Sequence, residues 1–283
     1  MSYALVTGAA KGIGKSIATE LAKRNYSLLL TDFDEPNLKT TAESLQRKYG
    51  VEVLHFVKDL TAPDAVDQLF SWAAPYHSQL TVVVNNAGYG LNGAFEELPL
   101  ADQFGIIDVN IKAQLGITYA FLPVLKKFRK SYLLNVCSTT AYQPVPYLTV
   151  YAASKAFILS FNKSLKYELR NSPVSLSYLS PGATDTAFVV RAGMKQHTLK
   201  TATRFNMTAD EVGAIAVNGL FKGKEAIVPG FLNKLNAVLP KFFPVSFVRR
   251  IAASIYEEKK QKEQVILHDA APLQKIQSEI QQS

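Results

Sequence analysis

A doubly wound α/β fold, with one seven-stranded parallel sheet in a single domain and helices on both faces, is predicted from three observations on this 283-residue chain. Short apolar runs alternate with longer amphipathic ones over most of its length. The runs themselves show little polar alternation, as strands covered on both faces do. Three glycines, at positions 8, 12 and 14, crowd the first turn. Strands are predicted over Tyr3 to Val6, Ser27 to Thr31, Val51 to Val57, Leu80 to Val84, Tyr132 to Cys137, Val174 to Leu179 and Ala226 to Val228. Helices are predicted over Ile13 to Arg24, Asn37 to Tyr49, Ala65 to Ala73, Leu100 to Phe128, Ala152 to Arg170 and Ala209 to Phe221. An apolar content of 48% supports one large core, and no linker rich in Gly, Ser or Pro divides the chain. Residues 1–229 are taken as the α/β domain and 230–283 as an extension.

Composition excludes several classes. The first strand begins at Tyr3, which leaves no room for a secretion signal, and no apolar run reaches the length of a membrane span. The chain is therefore expected in the cytoplasm. Its single cysteine, Cys137, lies in an apolar run and reads as a buried, inert thiol. His55, His77, His197 and His268 have no partners at ligand spacing, so no metal site is expected. The net charge of +8 is dispersed over most of the chain, which argues against a nucleic-acid partner.

In such a fold ligands bind beyond the carboxyl ends of the strands, and polar or small residues stand at those ends here. Thr7, Gly8, Lys11, Gly12, Ile13 and Gly14 form a turn between the first strand and the first helix. Glycine there lets the backbone approach a pyrophosphate, which the amides and positive dipole end of the helix attract. Asp32 ends the second strand, where a carboxylate can accept from the adenosine ribose hydroxyls and would repel the 2′-phosphate of NADP. NAD is favoured. Lys11 points the other way, since it can reach a 2′-phosphate, although a solvated loop lysine is the plainer reading. Asp59 and Leu60 end the third strand and Asn86, Ala87 and Gly88 follow the fourth. Ala87 and Gly88 would let a ligand lie against backbone, while Asp59 would meet the adenine amine or brace its own loop.

Tyr151 and Lys155 are four residues apart and so share one face of a helix. A phenol of pKa about 10 works as a base at neutral pH only if its phenolate is stabilised, and a nearby ammonium does that. The bland reading is an amphipathic helix whose core face is Phe157, Phe161, Leu165 and Leu169.

Together with Asn110, Ser138 and the Pro181-Gly182-x-x-x-Thr186 segment, these motifs resemble the short-chain dehydrogenase/reductase family in order and separation. The resemblance covers about Tyr3 to Pro229. It implies a Rossmann-type oxidoreductase that moves a hydride between a nicotinamide and an alcohol or carbonyl. By resemblance Tyr151 transfers the proton, Lys155 lowers its pKa and binds the nicotinamide ribose, Ser138 bonds the substrate oxygen, and Asn110 holds a water of a proton relay. Thr184 and Thr186 would serve the carboxamide and the pyrophosphate. Relatives alike in the second strand carry arginine where Phe33 stands and prefer NADP, so Asp32-Phe33 implies NAD. A non-catalytic dinucleotide sensor and an NADPH-dependent carbonyl reductase are the alternatives.

The stretch from Ala187 to Met194, with Phe188, Val189 and Val190, reads as an apolar lid, and Pro144 to Tyr147 as a stiff apolar wall. Both point to an apolar substrate. Residues 231–250 mix apolar and basic side chains around Phe242, Phe243 and Phe247. They either pack over the cleft or another subunit, or touch a membrane surface. The resemblance also implies a homodimer or homotetramer built on the two longest helices.

Overall fold

A computed structural model describes residues 2–182, 184–185 and 207–257. Seven strands form one parallel sheet: β1 (Tyr3–Thr7), β2 (Ser27–Asp32), β3 (Val53–Val57), β4 (Leu80–Asn85), β5 (Ser131–Val136), β6 (Val174–Leu179) and, after a small separate pair β7 (Thr184–Asp185) and β8 (Met207–Thr208), β9 (Ala226–Ile227). Their order is β3-β2-β1-β4-β5-β6-β9. The winding reverses between β1 and β4, which opens the crevice where such sheets bind ligands.

Helices cover both faces because the central strands are apolar on both. In β1, Ala4 and Val6 pack toward α1 (Gly12–Ala22), α2 (Glu35–Tyr49) and α7 (Ala209–Phe221). Tyr3 and Leu5 pack the other way, toward α3 (Ala65–Ala73) and α5 (Gln114–Leu125). Helices α1 and α7 touch backbone to backbone: a Cβ on Gly213 would stand 2.7 Å from Ser16 Cβ.

Local chemistry corrects several predicted boundaries. α2 starts at Glu35 rather than Asn37, because the Asp34 carboxylate caps it by accepting from the Asn37 amide at 3.3 Å. β3 starts at Val53, not Val51. The helix predicted over Leu100 to Phe128 is broken in winding: α4 (Leu100–Ile107) passes through a π-helical segment, Asp108–Ala113, before α5 begins.

The largest correction concerns α6 (Thr149–Glu168). Leu165 and Leu169 do pack into the core, but Phe157 is 43% exposed and stacks on Phe161 outside it, whereas Ile158 and Leu159 pack with Cys137, Ala141 and Tyr178. The buried stripe of α6 is mixed, with Tyr151, Ser154, Lys155 and Asn162 alongside Ile158. These polar groups are buried because other elements meet them. Asn85 Nδ2 donates to Asn135 Oδ1 at 2.9 Å, and Asn135 Nδ2 donates to Asn162 Oδ1 at 2.8 Å, a polar ladder from β4 through β5 to α6. Past β9 come α8 (Phe231–Val238) and α9 (Val245–Tyr256). No described helix is long and apolar enough to cross a membrane.

Candidate active site

The turn after β1 is closed by Thr7 and Asn86. The buried Thr7 hydroxyl accepts from the amides of Asn86 and Ala87, each at 3.0 Å, and Asn86 Nδ2 donates to the carbonyls of Thr7 and Gly8. Thr7 is thus spent on fastening β1 to the β4 turn. Gly8 and Gly12 hold φ of 65° and 56°, and a Cβ on Gly14 would stand 2.1 Å from the Gly8 carbonyl oxygen. Beyond this fold of backbone, α1 begins with Gly12, Ile13 and Gly14 without a side-chain cap or a carboxylate in its first turn. A helix end of that kind fits the pyrophosphate of a dinucleotide.

Asp32 stands half-buried at the end of β2. Its oxygens accept from the Ala10 amide at 3.0 Å and the Asp34 amide at 3.1 Å, so it also braces the glycine turn. Lys11 forms an ion pair with Asp34 at 2.8 Å, and that ammonium holds the Asp34 carboxyl below its usual range. Phe33 is 55% exposed. At the end of β3, Leu60 is buried, while Asp59 is exposed and accepts from its own turn, the Thr61 amide, at 2.9 Å.

Across the crevice, Tyr151 lies in the first turn of α6 and Lys155 one turn on, both buried. Lys155 Nζ donates to the Val136 carbonyl at 3.0 Å and sits 5.8 Å from the centre of the Tyr151 ring. Burial pushes the Tyr151 phenol well above its ordinary value, opposed by the Ser138 hydroxyl beside it. Burial also lowers Lys155, to about 8. Ser138 Oγ accepts from the Thr140 amide at 3.1 Å and the Thr140 hydroxyl at 2.9 Å, which leaves its own proton to donate. Asn110 is fully buried in the π-helical segment. Its Oδ1 accepts from the Tyr89 amide at 3.1 Å, and Nδ2 donates to the Tyr89 carbonyl and to Ser154 Oγ at 2.9 Å.

Two glycines of the β4 turn clear the space for these groups. A Cβ on Gly88 would stand 2.7 Å from Asn110 Oδ1 and 3.3 Å from Lys155 Nζ, and one on Gly90 would stand 2.8 Å from the Tyr151 ring. Nothing in the sequence marks Gly90 or Thr140. Neither carries a motif, and only the contact reveals its use. Gly90→Val is expected to displace the Tyr151 ring and lower turnover by about 10²-fold while nucleotide affinity changes little; kinetics alongside an NADH titration measures both.

Pro181 accepts from the Thr139 amide at 2.9 Å, and the Thr184 hydroxyl donates to the Gly182 carbonyl at 3.1 Å. A Cβ on Gly182 would meet Asn233 Oδ1 of α8 at 2.2 Å, so the C-terminal extension leans on this edge of the site. It also closes over the wall of Pro144 to Tyr147: Val145, Leu148 and Tyr151 pack with Ala252 and Tyr256 of α9. Thr186 and the predicted lid, Ala187 to Met194, lie outside the described residues. Cys137 is buried, its thiol pushed up by burial, and no metal-binding cluster occurs among the described residues. A concavity of about 590 Å³, lined by Lys130, Lys163, Lys166 and Arg170, lies at the opposite, amino-terminal edge of the sheet and touches none of these groups.

A tyrosine and a lysine buried one turn apart, set against Gly88 and Gly90 of the β4 turn at the carboxyl ends of a parallel sheet, form a framework suited to nicotinamide-linked oxidoreduction. The chain belongs to the short chain dehydrogenase family, whose model it matches over residues 2–198. It is 27% identical over 244 residues to a very-long-chain 3-oxoacyl-CoA reductase of Rattus norvegicus, covering 85% of this chain and 76% of the rat protein. Among solved structures it resembles a Burkholderia phymatum short chain dehydrogenase/reductase in complex with NAD (TM-score 0.79, 23% identity, 88% and 95% covered). A short-chain dehydrogenase of Sphingobium yanoikuyae in complex with NADPH is similar too (TM-score 0.75, 24% identity, 93% and 98% covered).

Proposed function

We propose that this oxidoreductase is NAD(H)-linked and exchanges a hydride with an apolar alcohol or ketone, with Tyr151 as the proton donor and acceptor. The observation that carries the nucleotide preference is the pairing at the end of β2. Lys11, the one residue of the glycine turn that could greet a 2′-phosphate, is committed to Asp34 at 2.8 Å, and Asp32 adds a second carboxylate nearby. Facing both carboxylates, an extra phosphate is repelled, whereas ribose hydroxyls can donate to them.

The nicotinamide, when bound, supplies or accepts the hydride. The glycine turn and the first turn of α1 would hold the pyrophosphate, with Ala87, Gly88, Pro181, Gly182 and Thr184 along the rest of the crevice. Tyr151, kept neutral by burial, is in the right state to give its proton to a carbonyl oxygen, and Ser138 has a proton to steady the same oxygen. Asn110 fixes the β4 turn to α6, and its Oδ1 and Lys155 Nζ both lie against Gly88, which supports a shared water between them as the route for proton return. The acyl substrate in the rat relative's name supports an apolar substrate. Exposed Phe104, Leu115, Tyr119 and Phe157 on α4, α5 and α6 support self-association through those helices.

Titration with NADH and NADPH, read by nicotinamide fluorescence, tests the nucleotide assignment. NADH is expected to bind at least about 10-fold tighter, an advantage lost in Asp32→Ala. Tighter NADPH binding by the unaltered protein would overturn it and favour a carbonyl reductase.

A further inference from the structure

We propose that the C-terminal extension docks this protein on the surface of an anionic lipid bilayer. Side chains along α8, the turn after it and α9 are segregated by face. The inner face is committed to the catalytic domain, through Ala237, Ala252, Tyr256 and the contact of Asn233 with Gly182. The outer face is open and apolar. Ten of the nineteen exposed large apolar side chains among the described residues fall within 231–251, a density that scattered surface residues do not reach. Phe231 and Phe242 are 77% and 76% exposed, and Leu235, Val245, Phe247 and Ile251 accompany them.

Charge selects the occupant. Residues 230–256 contain Lys234, Lys241, Arg249 and Arg250 and no Asp or Glu. Lys234, Arg249 and Arg250 are exposed beside the apolar face. A second copy meeting this face about a two-fold axis would find no carboxylate within residues 230–256 to pair with these cations. An anionic bilayer answers both halves of the pattern: headgroup charge meets Lys and Arg, and the acyl boundary accepts the phenyl rings. Phe243 and Phe247, with ring centres 5.7 Å apart, form the kind of wedge that inserts at that depth. Because α9 is only twelve residues long, it would lie in the interface and not span it. The inner side of the same helix packs on Tyr151, so the docked face would hold the catalytic crevice close to the lipid.

The test is flotation of the full-length protein with phosphatidylcholine vesicles, with and without about 30% phosphatidylglycerol. Flotation is expected only with the anionic vesicles, weakened at least about 10-fold in Phe242→Glu/Phe247→Glu, in Arg249→Glu/Arg250→Glu and in about 0.5 M salt. Unchanged NADH affinity shows that the variants are folded. Failure to float with anionic vesicles, or flotation that the folded variants retain, would overturn the proposal. So would a sedimentation experiment in which Phe242→Glu/Phe247→Glu splits an oligomer while lipid leaves the unaltered protein unbound, which would assign the face to a second copy.

Discussion

Tyr151→Phe is expected to lower kcat by about 10²–10⁴-fold while NADH binds as before. The loss follows from one oxygen. The Tyr151 ring is held by Val145, Leu148 and the bare Cα of Gly90, contacts that phenylalanine keeps, so neither the fold nor the nucleotide crevice should notice the change. What disappears is a buried neutral phenol with the Ser138 hydroxyl at its side. Steady-state kinetics on an apolar ketone, with parallel nucleotide titration, checks it. Retention of most turnover would remove Tyr151 from the proton-transfer role, and a biological effect that survives the loss of turnover would favour a dinucleotide sensor.

Lys155→Met should separate activity from stability, lowering turnover by at least about 10²-fold while raising the melting temperature. In the folded chain burial depresses Lys155 from 10.5 to about 8, a cost on the order of 3 kcal/mol for keeping the ammonium. Below about pH 8 both folded and unfolded chains hold the proton, and the full cost is present. As pH rises from about 8 to 10.5 the folded chain releases its proton first, and the cost fades. Methionine avoids the cost but deprives the Val136 carbonyl of its donor, worth about 1 kcal/mol. The variant should therefore melt several degrees higher at pH 7 and lose that margin by about pH 10. Thermal melts across this range decide the matter: a variant that melts lower throughout would refute the desolvation account.

The sheet was legible because its strands are predominantly apolar, a signal carried within a few residues. The glycine turn and the Tyr151 and Lys155 pair were legible for the same reason, since each is a local spacing. The inner face of α6 was not. Phe157 and Phe161 looked like core, yet the helix buries Ser154, Lys155 and Asn162, whose partners Asn110, Val136 and Asn135 lie far along the chain. A polar side chain shows no sign of burial until its partner is known. The pairing of Lys11 with Asp34 is hidden in the same way, as is the use of Gly90, which matters for what it lacks.

The π-helical segment at Asp108–Ala113 has a consequence for how the chain can change. Each residue of an α-helix turns the next side chain by about 100°, so one residue more or less here rephases everything on one side against the other. Deleting a single residue would let α4 and α5 run on as one smooth helix, an outcome that local backbone energetics would welcome. Yet Asn110 would swing off Ser154 and Tyr89, and the β4 turn would lose its tie to α6. The length of this stretch is thus fixed by the site and the core packing of α5 and not by helix geometry alone, and a deletion there would leave the protein unlatched at its centre.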